Sequence, residues 1–250
     1  MSDEQLLAER QDEWGVLRVI EVGAYRFLEF GDDAVEQSCT LIADPAWLEY
    51  DYTRAMLLGS LLPEKAPNRL LFLGLGAGSL TMACRYIWPH AHMEAVELRP
   101  AVVELAHDFM GLAHDARMTV RIGDAVQMLS ACQTADVVFL DLYTDQGPAA
   151  AHVSSQFLRE CHAHVRPGGW LVINQWSTAE GRPVGAALLR GTFGYNYWEC
   201  PLLEGNVVLF IPAEAEAALP LARWLARSEA LIPQLGYDPS LLLERLRAAR

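Results

Sequence analysis

Residues 70–79 read LLFLGLGAGS, an apolar run that leads directly into a turn with glycines at positions 74, 76 and 78. A short apolar run bounded by glycine predicts a buried strand, and the turn predicts the start of a helix. Glycine allows a ligand to approach the backbone closely, and doubly wound sheets bind nucleotides at the carboxyl ends of such strands. Gly74, Gly76 and Gly78 are therefore candidate ligand-binding residues.

The pattern continues downstream as short apolar strands that alternate with segments at helical spacing. This alternation predicts βαβ units and an α/β fold with a mostly parallel sheet covered on both faces. Two further strands, over residues 193–201 and 206–212, are expected as an antiparallel pair at one edge of the sheet. The predicted parallel strands cover residues 70–73, 92–97, 118–122, 136–141 and 170–174.

The first part of the chain has a different pattern. Residues 14–42 alternate apolar and polar side chains in short pieces broken by Gly23 and Gly31, which predicts a small antiparallel β unit. A helix is expected over residues 48–62, followed by a linker at 63–67. We therefore predict a small N-terminal β domain plus helix in residues 1–66 and a sheet domain in residues 67–250.

Composition limits the class of protein. The 250 residues are 52% hydrophobic, which is enough to bury a sizeable core and argues against disorder as the main state. The formal charge is −13, and residues 1–51 alone hold 13 acidic residues and 3 arginines. This charge repels phosphate backbones, so we expect a small cationic partner and no nucleic acid.

Neither a membrane span nor a metal site is expected. No apolar run approaches the length of about 18 residues that a span needs, and the N-terminus is acidic where a signal peptide is basic. The 5 cysteines are an odd number without a C-x-x-C pair, and His162 and His164 lack a third ligand at metal spacing. We therefore expect a soluble, cytoplasmic protein with free thiols.

Acidic residues follow the second and third predicted strands. Glu97 comes 19 residues after the last glycine of the turn, where a carboxylate can accept hydrogen bonds from both ribose hydroxyls. Asp124, followed by Ala125, can cap a helix and also bind an adenine amino group. Because Ser79 stands where the dinucleotide pattern has its third glycine, NAD and FAD are disfavoured and a ligand of the S-adenosylmethionine type is favoured.

Asp141 ends the fourth predicted strand and faces the same crevice as the glycine turn. An alkylammonium substrate keeps its proton at neutral pH, so a nucleophilic amine needs a proton acceptor within hydrogen-bond reach. Asp141 is therefore the leading candidate for a catalytic base.

This order of motifs resembles the spermidine synthase family over roughly residues 14–176. The resemblance implies a Rossmann-like transferase domain of the class I methyltransferase type, a small N-terminal β domain and a homodimer. In that family the glycine turn and the acid after the second strand hold the adenosyl ligand, and a G-D-A element touches adenine. The Asp that opens a D-S-S-D-P-x-G-P-A loop acts as the base, and alignment on residues 147–149 places Asp141 there.

The resemblance also implies residues on the substrate side. Tyr52 lies near the substrate-side tyrosine of the family, and Gln175 stands where the family has a glutamine. Tyr143 and Asp145 lie in the loop that Asp141 opens and are further candidates for substrate binding.

Two departures from the family leave the donor open between S-adenosylmethionine and its decarboxylated form. The family turn reads G-G-G-D-G-G, and its Asp binds the aminopropyl ammonium; Ala77 occupies that position here. The second Asp of D-S-S-D aligns with Thr144, and Asp145 is displaced by one residue.

Three functions remain open. Aminopropyl transfer from decarboxylated S-adenosylmethionine to a small polyamine is favoured by the loop at Asp141 and by the acidic N-terminal region. Methyl transfer from S-adenosylmethionine is the alternative, although Phe72 occupies the place where ordinary methyltransferases commonly carry an acid. The third is a nucleoside-binding subunit without catalytic activity, which the presence of Asp141 disfavours.

Overall fold

Two β-sheets form the scaffold of the computed structural model, which describes residues 4–144 and 154–249. The first sheet is antiparallel, and its four strands follow one another in chain order. They are β1 (Glu4–Asp12), β2 (Gly15–Val22), β3 (Tyr25–Phe30) and β4 (Val35–Leu41). The predicted N-terminal antiparallel unit is therefore confirmed, and it includes β1, whose polar sequence carries little strand signal.

Within the described residues the second sheet has eight strands, of which five run parallel. They are β5 (Arg69–Leu73), β6 (His92–Glu97), β7 (Met118–Ile122), β8 (Ala135–Leu140), β9 (Val165–Trp176), β10 (Trp198–Pro201), β11 (Asn206–Pro212) and β12 (Arg247–Ala248). Their spatial order is β12-β10-β11-β9-β8-β5-β6-β7. The predicted α/β fold with a mostly parallel sheet is confirmed.

Helices cover both faces of this sheet. They are α1 (Asp51–Gly59), α2 (Ser79–Ile87), α3 (Pro100–Phe109), α4 (Ala125–Met128), α5 (Ser155–Ala163), α6 (Ala186–Phe193), α7 (Leu221–Ala230) and α8 (Ile232–Leu235), with short 3-10 turns at Leu129–Ala131 and Pro239–Arg245. Successive residues of β5 alternate between two hydrophobic clusters, with Leu70 and Phe72 on one face and Leu71 and Leu73 on the other. This continuous apolar run is what a strand buried on both faces requires.

The order of the parallel strands creates a crevice at their carboxyl ends. From β5 the chain crosses through α2 to β6 on one side, whereas β8 pairs with β5 on the other side. The loops that leave β5 and β8 therefore diverge, and open α/β sheets bind ligands at such a switch point. Gly74 and Asp141 are the first residues beyond these two strands.

Helix α1 packs on the larger sheet. Ala55 and Met56 are fully buried in the same cluster as Phe72 and Val172. A Cβ on Gly59 would lie 2.4 Å from a methyl group of Val172, so the helix rests directly on β9. The sequence analysis assigns this helix to the N-terminal domain of residues 1–66, and that boundary stays a prediction. In the structure, α1 packs on the second sheet.

The N-terminal sheet docks on α3, next to the carboxyl end of β6. Leu17, Val19 and Leu28 on its inner face are fully buried against Val102 and Leu105 of the helix. Because the docking face is apolar, this contact holds the first sheet over the crevice of the second.

The edge of the larger sheet differs from the prediction. Residues 193–201 do not form a single strand, because α6 extends to Phe193 and Gly194, with a φ of +65°, ends it. The strand β10 that follows is short and pairs antiparallel with β11, as predicted for the two strands of this region. β12, which the sequence does not predict, pairs with β10 and forms the edge.

All 5 cysteines are buried free thiols. None of the helices in the described part of the chain is both long and apolar enough to cross a bilayer. Across residues 4–144 and 154–249, no group of three or more His, Cys, Asp or Glu side chains is arranged to hold a metal ion.

We expect Gly74→Ala to destabilise the fold strongly. A Cβ at residue 74 would lie 2.0 Å from the carbonyl oxygen of Asp141, and the φ of +98° is unfavourable for any side chain. The expected loss in the free energy of unfolding is about 3 kcal/mol, measured by urea denaturation. Gly205→Ala is the matched control, because Gly205 has a φ of +93° and open space around an added Cβ. It should cost about 1–2 kcal/mol, and equal losses in the two variants would contradict the tight contact at Asp141.

Candidate active site

A cavity of about 700 Å³ opens at the carboxyl ends of β5, β6, β8 and β9, with β4 on its opposite wall. This volume is within the usual range for small-molecule sites, and the position is the switch point of the sheet. Six of the residues that the sequence predicts for the site line this cavity: Tyr52, Gly74, Gly76, Glu97, Asp141 and Tyr143.

The N-terminal sheet closes over the glycine turn. Gly76 has a φ of +55°, and a Cβ there would lie 2.6 Å from Ser38 Oγ. The same hydroxyl accepts a hydrogen bond from the backbone N–H of Ala77 at 3.1 Å. Ser79 Oγ donates to the carbonyl oxygen of Cys39 at 2.9 Å. Strand β4 is therefore tied to the turn on both sides of Gly78, and its exposed edge forms a cavity wall.

Glu97 ends β6 with its carboxylate buried at the cavity wall. Oε2 accepts a hydrogen bond from the N–H of Leu75 at 3.1 Å, and Oε1 accepts one from the N–H of Arg99 at 3.1 Å. Burial raises the pKa of Glu97, and these backbone hydrogen bonds oppose the rise. Each carboxylate oxygen has about two lone pairs, so the group can also accept hydrogen bonds from the hydroxyls of a ligand.

Asp141 lies directly beyond β8 with its side chain on the cavity wall. Asn174 Nδ2 donates to Asp141 Oδ1 at 2.9 Å, and Asn206 Nδ2 donates to Asn174 Oδ1 at 2.9 Å. Burial raises the pKa of Asp141 to about 6, against the hydrogen bond from Asn174, which lowers it. The carboxylate is therefore ionised at neutral pH and yet basic enough to take up a proton during a reaction.

Aromatic side chains line the same cavity as Asp141. Tyr143 donates its hydroxyl hydrogen to the carbonyl oxygen of Asn174 at 3.1 Å, and its ring centre lies 5.9 Å from that of Trp176. Tyr52 stacks on Tyr50 with ring centres 5.9 Å apart. Burial, together with the charge of Asp141, raises the pKa of Tyr52 far above its ordinary value, so its hydroxyl stays neutral. Aromatic faces of this kind attract cations.

The wall of this cavity is strongly acidic. Arg99 is the one cationic side chain among the described lining residues, and its guanidinium is paired with Asp12 at 2.7 Å. The cavity therefore favours a positively charged ligand. Five carboxylate side chains line it: Glu36, Glu49, Glu97, Asp141 and Glu204.

Glu204 also fixes the start of α1. Its two carboxylate oxygens accept hydrogen bonds from the backbone N–H groups of Asp51 at 2.7 Å and Tyr52 at 3.1 Å. A carboxylate is well placed at a helix N-terminus, where N–H groups lack partners within the helix. The hairpin between β10 and β11 thereby holds Tyr52 at the cavity.

A second cavity, of about 590 Å³, lies beside the first and shares Trp14 and Leu98 with it. Asp124 lines this cavity and caps α4, since its Oδ1 accepts a hydrogen bond from the N–H of Val126 at 2.8 Å. The structure thus contains the predicted helix cap, and the contact of Asp124 with adenine stays a prediction.

Three predicted residues of the glycine turn and of α4 lie off both cavity walls: Ala77, Gly78 and Ala125. The Ala77 side chain is 1% exposed and packs in the cluster with Val102 and Leu105. Gly78 serves the turn itself, because a Cβ there would lie 2.7 Å from the Leu112 side chain. The structure buries the Ala77 side chain in the hydrophobic core, and the role of position 77 in binding the donor stays a prediction.

Gln175 also lies off the cavity. It is 3% exposed, and because successive strand residues point to opposite faces, it is directed away from the face that carries Asn174 and Trp176. Asn174, the residue before Gln175, lines the cavity instead. Because side chains alternate along a strand, Asn174 lies on the same face as Trp176. Asp145 lies outside the described residues.

Other lining residues give no local signal in the sequence. Glu36, Gln37 and Ser38 reach the cavity because the N-terminal sheet docks over the glycine turn. Glu204 and Asn206 reach it because the hairpin of β10 and β11 extends past β9. Such contacts between distant elements depend on the packing of the two sheets.

Comparisons with known proteins found a matching family domain and several similar proteins. The spermine/spermidine synthase domain matches residues 51–184, more than half of the chain. A polyamine aminopropyltransferase of Vibrio vulnificus (strain CMCP6) is 30% identical over 166 residues, which cover 64% of this chain and 55% of that protein. The eEF1A lysine and N-terminal methyltransferase of Homo sapiens is 26% identical over 225 residues, which cover 80% of this chain and 32% of that protein.

A solved structure shares the architecture. The crystal structure of a probable spermidine synthase from Corynebacterium glutamicum ATCC 13032 superposes with a TM-score of 0.72 at 18% identity, covering 89% of this chain and 86% of that one. At this identity the likeness is one of fold. From the domain match, the chain belongs to the spermine/spermidine synthase family.

Proposed function

We propose that this protein transfers an aminopropyl group from decarboxylated S-adenosylmethionine to a small polyamine or diamine. The observation that carries the proposal is that Asp141, whose carboxylate accepts a hydrogen bond from Asn174, lines an acidic cavity together with the glycine turn. The family membership and the aminopropyltransferase relative support the same reaction.

The reaction needs a base at the acceptor nitrogen. The nitrogen lone pair attacks the carbon next to the sulfonium, the carbon–sulfur bond breaks, and methylthioadenosine leaves with the bonding pair. An alkylammonium is protonated at neutral pH, so the acceptor must first give up a proton. Asp141 takes this proton, Asn174 orients the accepting carboxylate, and the rings of Tyr52 and Tyr143 flank the amine.

The nucleoside end of the donor fits the opposite side of the cavity. Glu97 has capacity for the two ribose hydroxyls, and Asp124 faces the adjoining cavity, where it can accept from an adenine amino group. The backbone of the turn at Gly76 can approach the donor closely because glycine has no side chain of its own.

The charge of the cavity supports the decarboxylated donor. Decarboxylated S-adenosylmethionine carries two positive charges, whereas S-adenosylmethionine carries an additional carboxylate. Glu36 and Glu49 on the wall repel that carboxylate and attract the free ammonium. Because the side chain of Ala77 is buried in the core, we infer that these wall acids provide the donor selectivity in its place.

Methyl transfer from S-adenosylmethionine is the second candidate. It is favoured by the human methyltransferase relative, whose alignment covers 80% of this chain. The same carboxylate could deprotonate a lysine or an N-terminal amine as methyl acceptor. We also propose that the protein is a homodimer, as the family resemblance implies, and that it is cytoplasmic. Both proposals hold for either reaction.

Glu97→Gln should weaken the binding of methylthioadenosine by about tenfold or more, since hydrogen bonds to a charged group contribute roughly 1.5–3 kcal/mol. The measurement is isothermal titration calorimetry at neutral pH. Glu94→Gln is the matched control, because Glu94 is a buried acid of the same strand that pairs with Arg121 and lines neither cavity. Unchanged affinity in Glu97→Gln, or an equal loss in both variants, would remove Glu97 from the nucleoside site.

Wild-type protein should form methylthioadenosine and an aminopropylated product from decarboxylated S-adenosylmethionine and a diamine. Asp141→Asn should lower turnover on the order of 10²–10⁴-fold while methylthioadenosine still binds. Because the base must be ionised, kcat/KM of the wild type should rise with pH through about 6, the pKa of Asp141, and this rise should vanish in the variant. Methyl transfer alone would establish the second candidate, and nucleoside binding without turnover of any amine would indicate a non-catalytic subunit.

A further inference from the structure

Trp14 lies on the turn between β1 and β2, at the junction of the two cavities. Trp14 lines both of them, and it is 40% exposed. Leu98, the residue that follows Glu97, also lines both cavities. These two apolar side chains therefore border the passage between the cavity that holds the ribose-binding acid and the cavity that holds Asp124.

The turn that carries Trp14 is held by a buried guanidinium. Arg99 Nε donates to Asp12 Oδ2 at 3.0 Å and Nη2 donates to Asp12 Oδ1 at 2.7 Å and to the Gly15 carbonyl at 2.8 Å. The N–H of Trp14 donates to the same Asp12 Oδ1 at 2.9 Å. Arg99 is 5% exposed, and its guanidinium lies 4.8 Å from the ring centre of Phe30. A bidentate pair of this kind has a defined geometry, so the turn has a fixed position.

The same arginine also contacts the ribose-binding acid. Its backbone N–H donates to Glu97 Oε1 at 3.1 Å, while its side chain reaches the β1–β2 turn. Arg99 therefore links Glu97 in the larger sheet to Trp14 in the smaller one.

We propose that Trp14 is the outer wall of the adenosyl site, where its indole packs on the face of the adenine base, and that Arg99 and Asp12 are positioning residues for it. This inference rests on the proposed function, because it needs an adenosyl ligand. Leu98 supplies the opposite apolar surface. Purine bases stack on aromatic side chains, and an exposed indole at the edge of a nucleoside cavity provides such a surface.

The test measures the affinity of methylthioadenosine by titration calorimetry, together with the KM for the donor and kcat. Trp14→Ala should raise the dissociation constant and the donor KM by about tenfold, with kcat at saturating donor unchanged. Trp14→Phe should restore the affinity to within about threefold of wild type, because the stacking surface is retained. Asp12→Ala should change donor KM in the same direction as Trp14→Ala, since the turn loses its anchor.

Leu6→Ala is the matched control, because Leu6 is an apolar residue of β1 with 54% exposure that lines neither cavity. It should leave all three quantities unchanged. If wild type binds methylthioadenosine and Trp14→Ala binds it equally well, or if Trp14→Phe is as weak as Trp14→Ala, the role of Trp14 is overturned and the proposed function stands. If wild type binds neither methylthioadenosine nor the donor, the proposed function itself fails.

Discussion

At Gly74 the backbone passes so close to the carbonyl oxygen of Asp141 that a single added carbon would lie 2.0 Å from it. Two ladder hydrogen bonds produce this approach, from the N–H of Gly74 to the Val96 carbonyl at 2.9 Å and from the N–H of Asp141 to the Leu73 carbonyl at 2.9 Å. Both the glycine turn and the acidic loop therefore start from one point of the sheet. The position of Asp141 relative to the glycine turn follows from this constraint.

The raised pKa of Asp141 lowers the stability of the folded protein at neutral pH. Raising the pKa of Asp141 from its ordinary value of 3.8 to about 6 corresponds to roughly 3 kcal/mol of unfavourable free energy for the ionised form in the folded protein. Because the folded pKa is the higher one, this penalty is present above about pH 6 and disappears as the pH falls toward the unfolded value. A cationic ligand offsets the penalty, which is a physical reason for the acidic cavity to bind amines.

The sequence predicts the parallel strands and the residues at their ends well, because strand, glycine turn and acid follow one another locally. Glu97 and Asp141 are found this way, and both line the cavity. Side-chain direction is predicted less well: Gln175 and Ala77 each lie one residue from a cavity-lining position, on the buried side. Ser38, Glu204 and Trp14 belong to elements that meet the site only through packing, for which a single sequence has no periodic signal.

In the proposed reaction, Glu97 at the end of β6 binds the ribose of the donor, and Asp141 directly after β8 takes the proton of the acceptor amine beside the donor sulfur. The most direct measurement is a crystal structure of the protein with methylthioadenosine bound. We expect the ribose hydroxyls within hydrogen-bond distance of the Glu97 carboxylate and the thioether sulfur directed toward Asp141. A nucleoside bound elsewhere, or one whose ribose faces away from Glu97, would contradict this expectation.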